Sequence, residues 1–202
     1  MGSTRRIFTF DRVSADGYFS ALDGNLNWAV PDDEVDNEGV AQMPDAGTIL
    51  FGRKTYEMFE SFWPKVADGQ PMAPDPHRPA RQTAALHAMA VWINEAEKLV
   101  FSRTRKEFPW KNSRSLGELE PAAVEALKNQ PGKDIIIFGS GSIVSELTTH
   151  GLIDEYQFVV NPVLLGSGRS LISGVAQNLK LKLLEAKTYA SGNVRLRYAR
   201  QN

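Results

Sequence analysis

Short apolar runs alternate with turn-rich stretches along this chain, and the spacing inside each run predicts the element it forms. Residues 7–10 are β-prone, and the turn pairs Asp16-Gly17 and Asp23-Gly24 follow. Asp32, Asp33 and Glu34 stand behind Pro31, where acids suit the positive end of a helix dipole. That helix is expected to reach about Met43 and stop before Pro44. Residues 48–51 read as a strand, Gly52 as a strand-to-helix turn and 53–62 as a helix. From 64 to 79 the density of Pro, Gly and Asp predicts a long irregular loop, of the kind used as lids and binding loops. Residues 81–94 are helical in pattern, with Ala84, His87, Ala88 and Val91 expected on the inner face and His87 as a core histidine.

Further on, 99–101 is a strand, 102–113 is irregular, and Pro121 opens a helix ending near Lys128. Ile135, Ile136, Ile137 and Phe138 have no polar interruption, as expected of a central strand covered on both faces. A helix from about 143 closes at Gly151, with His150 complementing its C-terminus. Tyr156, Phe158 and Val160 alternate with Glu155 and Gln157, and Val194, Leu196 and Tyr198 with Arg195 and Arg197. Both patterns predict half-exposed strands. Helices and strands interleave to about residue 150 and strands dominate afterwards, so the class is α/β with a mixed sheet and an antiparallel edge.

Composition narrows the chemistry. The 202 residues suit one domain spanning 1–202, and 42% apolar content is that of a folded protein. A formal charge of -1 gives no basic field for nucleic acid. The absence of cysteine removes thiol nucleophiles, disulfides and Cys-ligated metals. His77, His87 and His150 are too scattered for a metal site, so none is expected. No apolar run reaches the ~18 residues of a membrane span, and the first residues lack a signal-peptide pattern; a cytoplasmic protein is expected.

Three strand ends carry groups suited to phosphate. Gly139-Ser140-Gly141-Ser142 follows the most apolar strand and opens a helix, whose unpaired N–H groups and dipole favour an anion. The run is neither G-x-G-x-x-G, since position 144 is Val, nor a Walker loop, and a plain strand–turn–helix connection would read the same way. Gly52-Arg53-Lys54-Thr55 sets two cations in a first helical turn, against the dipole, a local penalty an anionic ligand offsets. Ser102-Arg103 repeats the theme. In open α/β sheets such ends converge on one crevice, which points to an extended ligand with more than one phosphate.

Five segments resemble the dihydrofolate reductase-like superfamily, in the branch related to the reductase domain of riboflavin biosynthesis. They are SADGY at 14–18, LFGRKTYE at 50–57, LVFSRT at 99–104, GKDIIIFGSG at 132–141, and GLIDEY at 151–156 leading to NPVLLGSG at 161–168. The resemblance implies a three-layer fold, a mostly parallel sheet with antiparallel C-terminal edge strands, a homodimer, and NADPH as cofactor. By this likeness Gly52, Arg53 and Thr55 meet cofactor phosphates, and Ser102 and Arg103 lie near the adenosine 2′-phosphate. Gly139, Ser140, Gly141, Ser142 and Ile143 hold pyrophosphate and ribose. Ser140 departs from the pattern, standing where many members have the second of two glycines. Asp36 sits at the approximate place of the acid that pterin-reducing members carry. It shares a helix face with Val40 and Met43, so partial burial is expected, and it is the candidate catalytic residue; a solvated acid in an acidic run is the plain alternative. The expected activity is NADPH-dependent reduction of a heterocyclic or carbonyl-bearing small molecule, with a ribosylaminopyrimidine phosphate one option. The alternative is a non-catalytic nucleotide-binding or scaffold protein that has kept the fold.

Overall fold

A computed structural model describes residues 4–70, 83–175 and 178–201. The predicted run Ile135 to Phe138 is the place to begin, because it fixes the layers. β6 (Asp134–Ile137) lies between β3 (Ala46–Gly52) and β1 (Ile7–Ser14), parallel to both. Ile135 and Ile137 point into one apolar layer and Ile136 and Phe138 into the other. No polar side chain fits such a strand, since neither of its faces meets water.

One layer is filled by α2 (Arg53–Ala67) and α3 (Ala84–Glu95), through Tyr56, Phe59, Trp63, Leu86, Ala90 and Ile93. The other is filled by α4 (Pro121–Lys128) and α5 (Gly141–Thr149), through Val124, Leu127, Ile143, Val144 and Leu147. The sheet has eight strands. Beyond β3 lie β4 (Glu97–Phe101) and the edge strand β5 (Ser113–Gly117), and beyond β1 lie β7 (Glu155–Asn161), β10 (Val194–Arg200) and β9 (Leu181–Thr188). The six strands from β5 to β7 are parallel, while β10 runs against both of its neighbours. The expected α/β class, with a mostly parallel sheet and antiparallel C-terminal strands, is therefore the observed one. A small two-stranded antiparallel sheet of β2 (Tyr18–Ser20) and β8 (Arg169–Ser170) stands beside the main sheet.

Local chemistry explains the helix starts. The Asp32 carboxylate accepts from the N–H groups of Glu34 (2.9 Å) and Val35 (3.2 Å) and caps α1 (Asp33–Gln42). Thr83 caps α3 through the Leu86 N–H at 3.1 Å. Such caps contribute about 1 kcal/mol each.

Several expectations are corrected. α2 runs through Pro64 to Ala67, so the loop predicted from 64 begins later; burial of Trp63 and Val66 outweighs the proline. Residues 71–79 of that predicted loop, with His77, lie outside the described residues, as do 81 and 82 at the start of the predicted helix. On α3 the buried face is Ala85, Leu86, Ala90 and Ile93, and the four residues expected inside, Ala84, His87, Ala88 and Val91, are all exposed. His87 is exposed, with Nδ1 3.2 Å from the Val66 carbonyl. On β7, Glu155 and Gln157 are buried rather than half-exposed, because Arg197 of β10 covers Glu155 at 2.7 Å. Arg195 is buried as well, paired with Glu38 of α1 at 2.7 Å.

Candidate functional site

The carboxyl ends of β1, β3, β4 and β6 open into one cleft of about 1260 Å³, and Asp11, Gly52, Ser102 and Gly139 all line it. Strand register brings them together. Gly52 pairs with Phe101, the residue before Ser102, and Leu50 pairs with Ile137, two residues before Gly139.

Ser140 ties the rim. Its hydroxyl accepts from the Gly52 N–H at 2.9 Å and donates to Thr55 Oγ1 at 2.8 Å, joining the end of β3, the first turn of α2 and the start of α5. The geometry requires Ser140 to adopt the left-handed region, at φ 60°, ψ 58°. Gly52 has little room for a side chain: a Cβ there would lie 3.3 Å from Ser140 Oγ, a tight contact that the hydroxyl would have to relieve by shifting. The rim is thus a close approach of two strand ends sealed by one hydroxyl.

Neither α2 nor α5 has a side-chain cap on its N-terminus, and neither carries an acid in its first turn. Their first N–H groups and positive dipole ends meet the cleft beside Arg53 and Lys54. Arg53 pairs with Glu57 at 2.9 Å on the same helix. Arg103 extends outward, with its side chain 80% exposed and 3.9 Å from Glu118. Ser102 differs from expectation: its buried oxygen accepts from the N–H groups of Thr104 (3.2 Å) and Arg105 (2.8 Å), so its first role is to shape the turn that presents Arg103. The Gly139 N–H is also engaged, donating to Asp11 Oδ1 at 2.7 Å, which leaves the α5 end of that loop for a ligand.

On the α2–α3 side the cleft is apolar, with Phe10, Met58, Phe59, Trp63, Met89 and Phe138 as its wall. Its polar feature is an ion pair from opposite elements. Asp36 of α1 meets Arg12 of β1 at 2.9 Å, and Arg12 also donates to the Val30 carbonyl at 3.2 Å. Asp36 is buried, more fully than its helical spacing implied.

Asp11 is the residue the sequence reading missed. It is 4% exposed, and burial pushes its carboxyl up to about 7, with the Gly139 N–H pulling the other way. The β-prone run 7–10 falls short of β1, which continues through the Asp11-Arg12 pair to Ser14. Val13 beyond the pair was the available signal. Gly168-Arg169 leads into β8, which pairs antiparallel with β2, and Arg169 lines the cleft. Among the described residues no group of three His, Cys, Asp or Glu side chains is placed to hold a metal, and no helix is long and apolar enough to cross a membrane.

This strand order, with helices on both faces and a cleft at the strand ends, defines a dihydrofolate reductase-like α/β protein. The fold superposes on the dihydrofolate reductase of Enterococcus faecalis complexed with NADP(H) and RAB-propyl, at a TM-score of 0.60 and 9% identity over 100% of both chains. The chain belongs to the RibD C-terminal domain family, which it matches over residues 6–195. It is 30% identical to the uncharacterized protein YyaP of Bacillus subtilis (strain 168) over 200 residues, 96% of this chain and 94% of that one. A candidate riboflavin biosynthesis protein of Shewanella sp. PV-4 shares the fold at a TM-score of 0.73 and 21% identity, covering 98% of this chain and 99% of that one.

Proposed function

We propose that the protein is an NADPH-dependent reductase of a flat heterocyclic small molecule. The observation that carries this reading is the convergence of Gly52, Ser102 and Gly139 on a single cleft with two uncapped helix N-termini. A phosphorylated dinucleotide fits that rim: the glycine at 52 leaves the backbone open, and the first turns of α2 and α5 offer N–H donors. Thr55 and Arg53 would hold one phosphate group, and Gly141, Ser142 and Ile143 the pyrophosphate and ribose. Arg103 reaches outward toward the place of a 2′-phosphate, where a guanidinium can pair two oxygens. When bound, reduced nicotinamide supplies a hydride; binding and orientation fall to the chain.

The apolar wall argues for a planar ring as substrate, stacked among aromatic and thioether side chains, with its polar edge turned to Arg12 and Asp36. A ribosylaminopyrimidine phosphate and an unphosphorylated pteridine are the two substrates to compare. Titration with NADPH, followed by cofactor fluorescence, should show saturable binding; none at millimolar cofactor overturns the proposal. Binding without oxidation across aminopyrimidines, pterins and small carbonyls would instead assign a nucleotide-binding protein that has kept the fold without turnover.

A homodimer accompanies this reading. The edge strand β9 leaves Leu183 and Leu184 51% and 48% exposed, and open edges with apolar side chains invite pairing. Sedimentation at micromolar concentration should give a dimer, and monomer alone would remove the claim.

A further inference from the structure

Asp11 sits at the tip of the parallel block, in contact with the loop that the cofactor reading assigns to pyrophosphate. Its Oδ1 accepts the Gly139 N–H at 2.7 Å; its buried Oδ2 makes no well-formed hydrogen bond among the described residues, with the Thr9 hydroxyl of the same strand the polar group beside the carboxyl. No ion pair reaches it among those residues either. The charged and titratable groups on the elements around it are committed elsewhere. Arg12, next along β1, pairs with Asp36 of α1. Tyr156 of β7 shares its hydroxyl with Thr148 at 2.9 Å, and Phe158 is the residue opposite Asp11 in the ladder. Glu146 of α5 lies 3.2 Å from His150, and Arg169 of β8 donates to the Leu22 carbonyl at 2.8 Å. Among the described residues no cation pairs with the carboxyl itself, although Arg53, Lys54 and Arg169 line the same cleft.

We propose that Asp11 takes up a proton when the reduced dinucleotide binds, because the carboxylate held by Gly139 and phosphates on the next residues of the same loop disfavour each other's charge. The proposal rests on the cofactor reading above. In the free protein this carboxyl is balanced near neutrality, with burial holding it at about 7. A nearby anion moves it further in the same direction, and linkage makes the shift visible as proton uptake. The reduction of a C=N or C=O bond consumes one proton for each hydride, so a carboxyl that loads at the binding step brings the required proton into the cleft.

The test is calorimetric titration of the full chain with NADPH in two buffers of different ionisation enthalpy, for the wild type and Asp11→Asn. Asparagine keeps an oxygen for the Gly139 N–H and cannot titrate. Relative to the variant, the wild type should take up about half a proton per cofactor at pH 7 and close to one at pH 8, and its dissociation constant should rise about tenfold between pH 6 and 8. The cofactor's own phosphate titrates equally in both proteins and cancels in the comparison. Identical proton counts overturn the inference. If the variant fails to fold, the carbon-13 signal of the Asp11 carboxyl in the wild type decides: its midpoint should rise on adding NADPH, and an unmoved midpoint refutes the coupling. Absence of NADPH binding strikes the cofactor reading itself, whereas binding without the proton difference strikes Asp11 alone.

Discussion

Replacing Ser140 by alanine and by glycine separates two energies that the wild-type residue combines. Its hydroxyl makes two hydrogen bonds, from the Gly52 N–H and to Thr55 Oγ1, each contributing about 1 kcal/mol net. Against this, a residue with a Cβ at φ 60° is strained by about 1 kcal/mol relative to glycine. Alanine loses both bonds and keeps the strain, so Ser140→Ala should cost about 2 kcal/mol. Glycine loses the same bonds and releases the strain, so Ser140→Gly should cost about 1 kcal/mol. Urea unfolding of the three proteins, at equal m-values, measures both differences. The order should be wild type, glycine, alanine. An alanine variant as stable as the glycine variant would refute the claim of backbone strain. A wild-type-like glycine variant would refute the claim that the hydroxyl seals the two strand ends.

Other perturbations address separate parts of the molecule. Arg103→Ala should weaken NADPH about tenfold, or ~1.4 kcal/mol, and leave NADH nearly unchanged, while Glu118→Gln, 3.9 Å away, should strengthen NADPH; equal losses for both cofactors would place Arg103 elsewhere. A Cβ on Gly168 would stand 2.6 Å from the Ser20 carbonyl and 2.8 Å from the Tyr18 side chain. Gly168→Ala should therefore push the β2–β8 strand pair apart and cost about 2–3 kcal/mol, and an unchanged thermal midpoint would contradict this. Lys98 is fully buried against the Asn94 and Ala96 carbonyls, and burial lowers its folded pKa from 10.5 to about 8. In that window the unfolded chain binds the extra proton, so stability should rise from pH 8 to 10.5, by at most about 3 kcal/mol. Lys98→Met should flatten that slope in denaturation at the two pH values, and an identical slope would show that the slope comes from another group.

The legible parts of the sequence were those where one physical demand dominates. Residues 135–138 have to be apolar because both faces of β6 are covered, and the glycine after them marks the strand end. The same logic found Gly52. Less legible were elements whose residues answer to neighbours far along the chain. β5 carries Ser113, Arg114 and Ser115 on an edge, where no buried face imposes alternation. Glu155 and Gln157 look solvent-bound until Arg197, some 40 residues on, is placed over them. The helix 84–95 is apolar over much of its surface, so its packing face is poorly marked by periodicity, and only contact with α2 selects it. Asp11 lies just beyond the apolar run 7–10, where two charged residues break the pattern although the strand goes on. Here the two side chains leave on opposite faces, Arg12 toward Asp36 and Asp11 toward Gly139.

What the residue-level resemblance assigned to the ligand, the fold uses first on itself. The Ser102 oxygen shapes a turn, the Ser140 hydroxyl joins two strand ends, and the Gly139 amide holds Asp11. Each was nominated as a phosphate contact by position, and each already has an internal partner. The groups left over are backbone amides in the first turns of α2 and α5 and the extended cations around them. This division follows from the cost of binding. Amides fixed in a helix lose little freedom when a ligand arrives, and a rim already sealed by its own hydrogen bonds has little left to order. On the proposed function, recognition by such a rim is general for phosphate, so discrimination between dinucleotides would fall to Arg103, and discrimination between substrates to the apolar wall across the cleft. The two choices would then be made on opposite sides of the strand ends, so a change in the proposed substrate wall should leave the proposed dinucleotide rim intact.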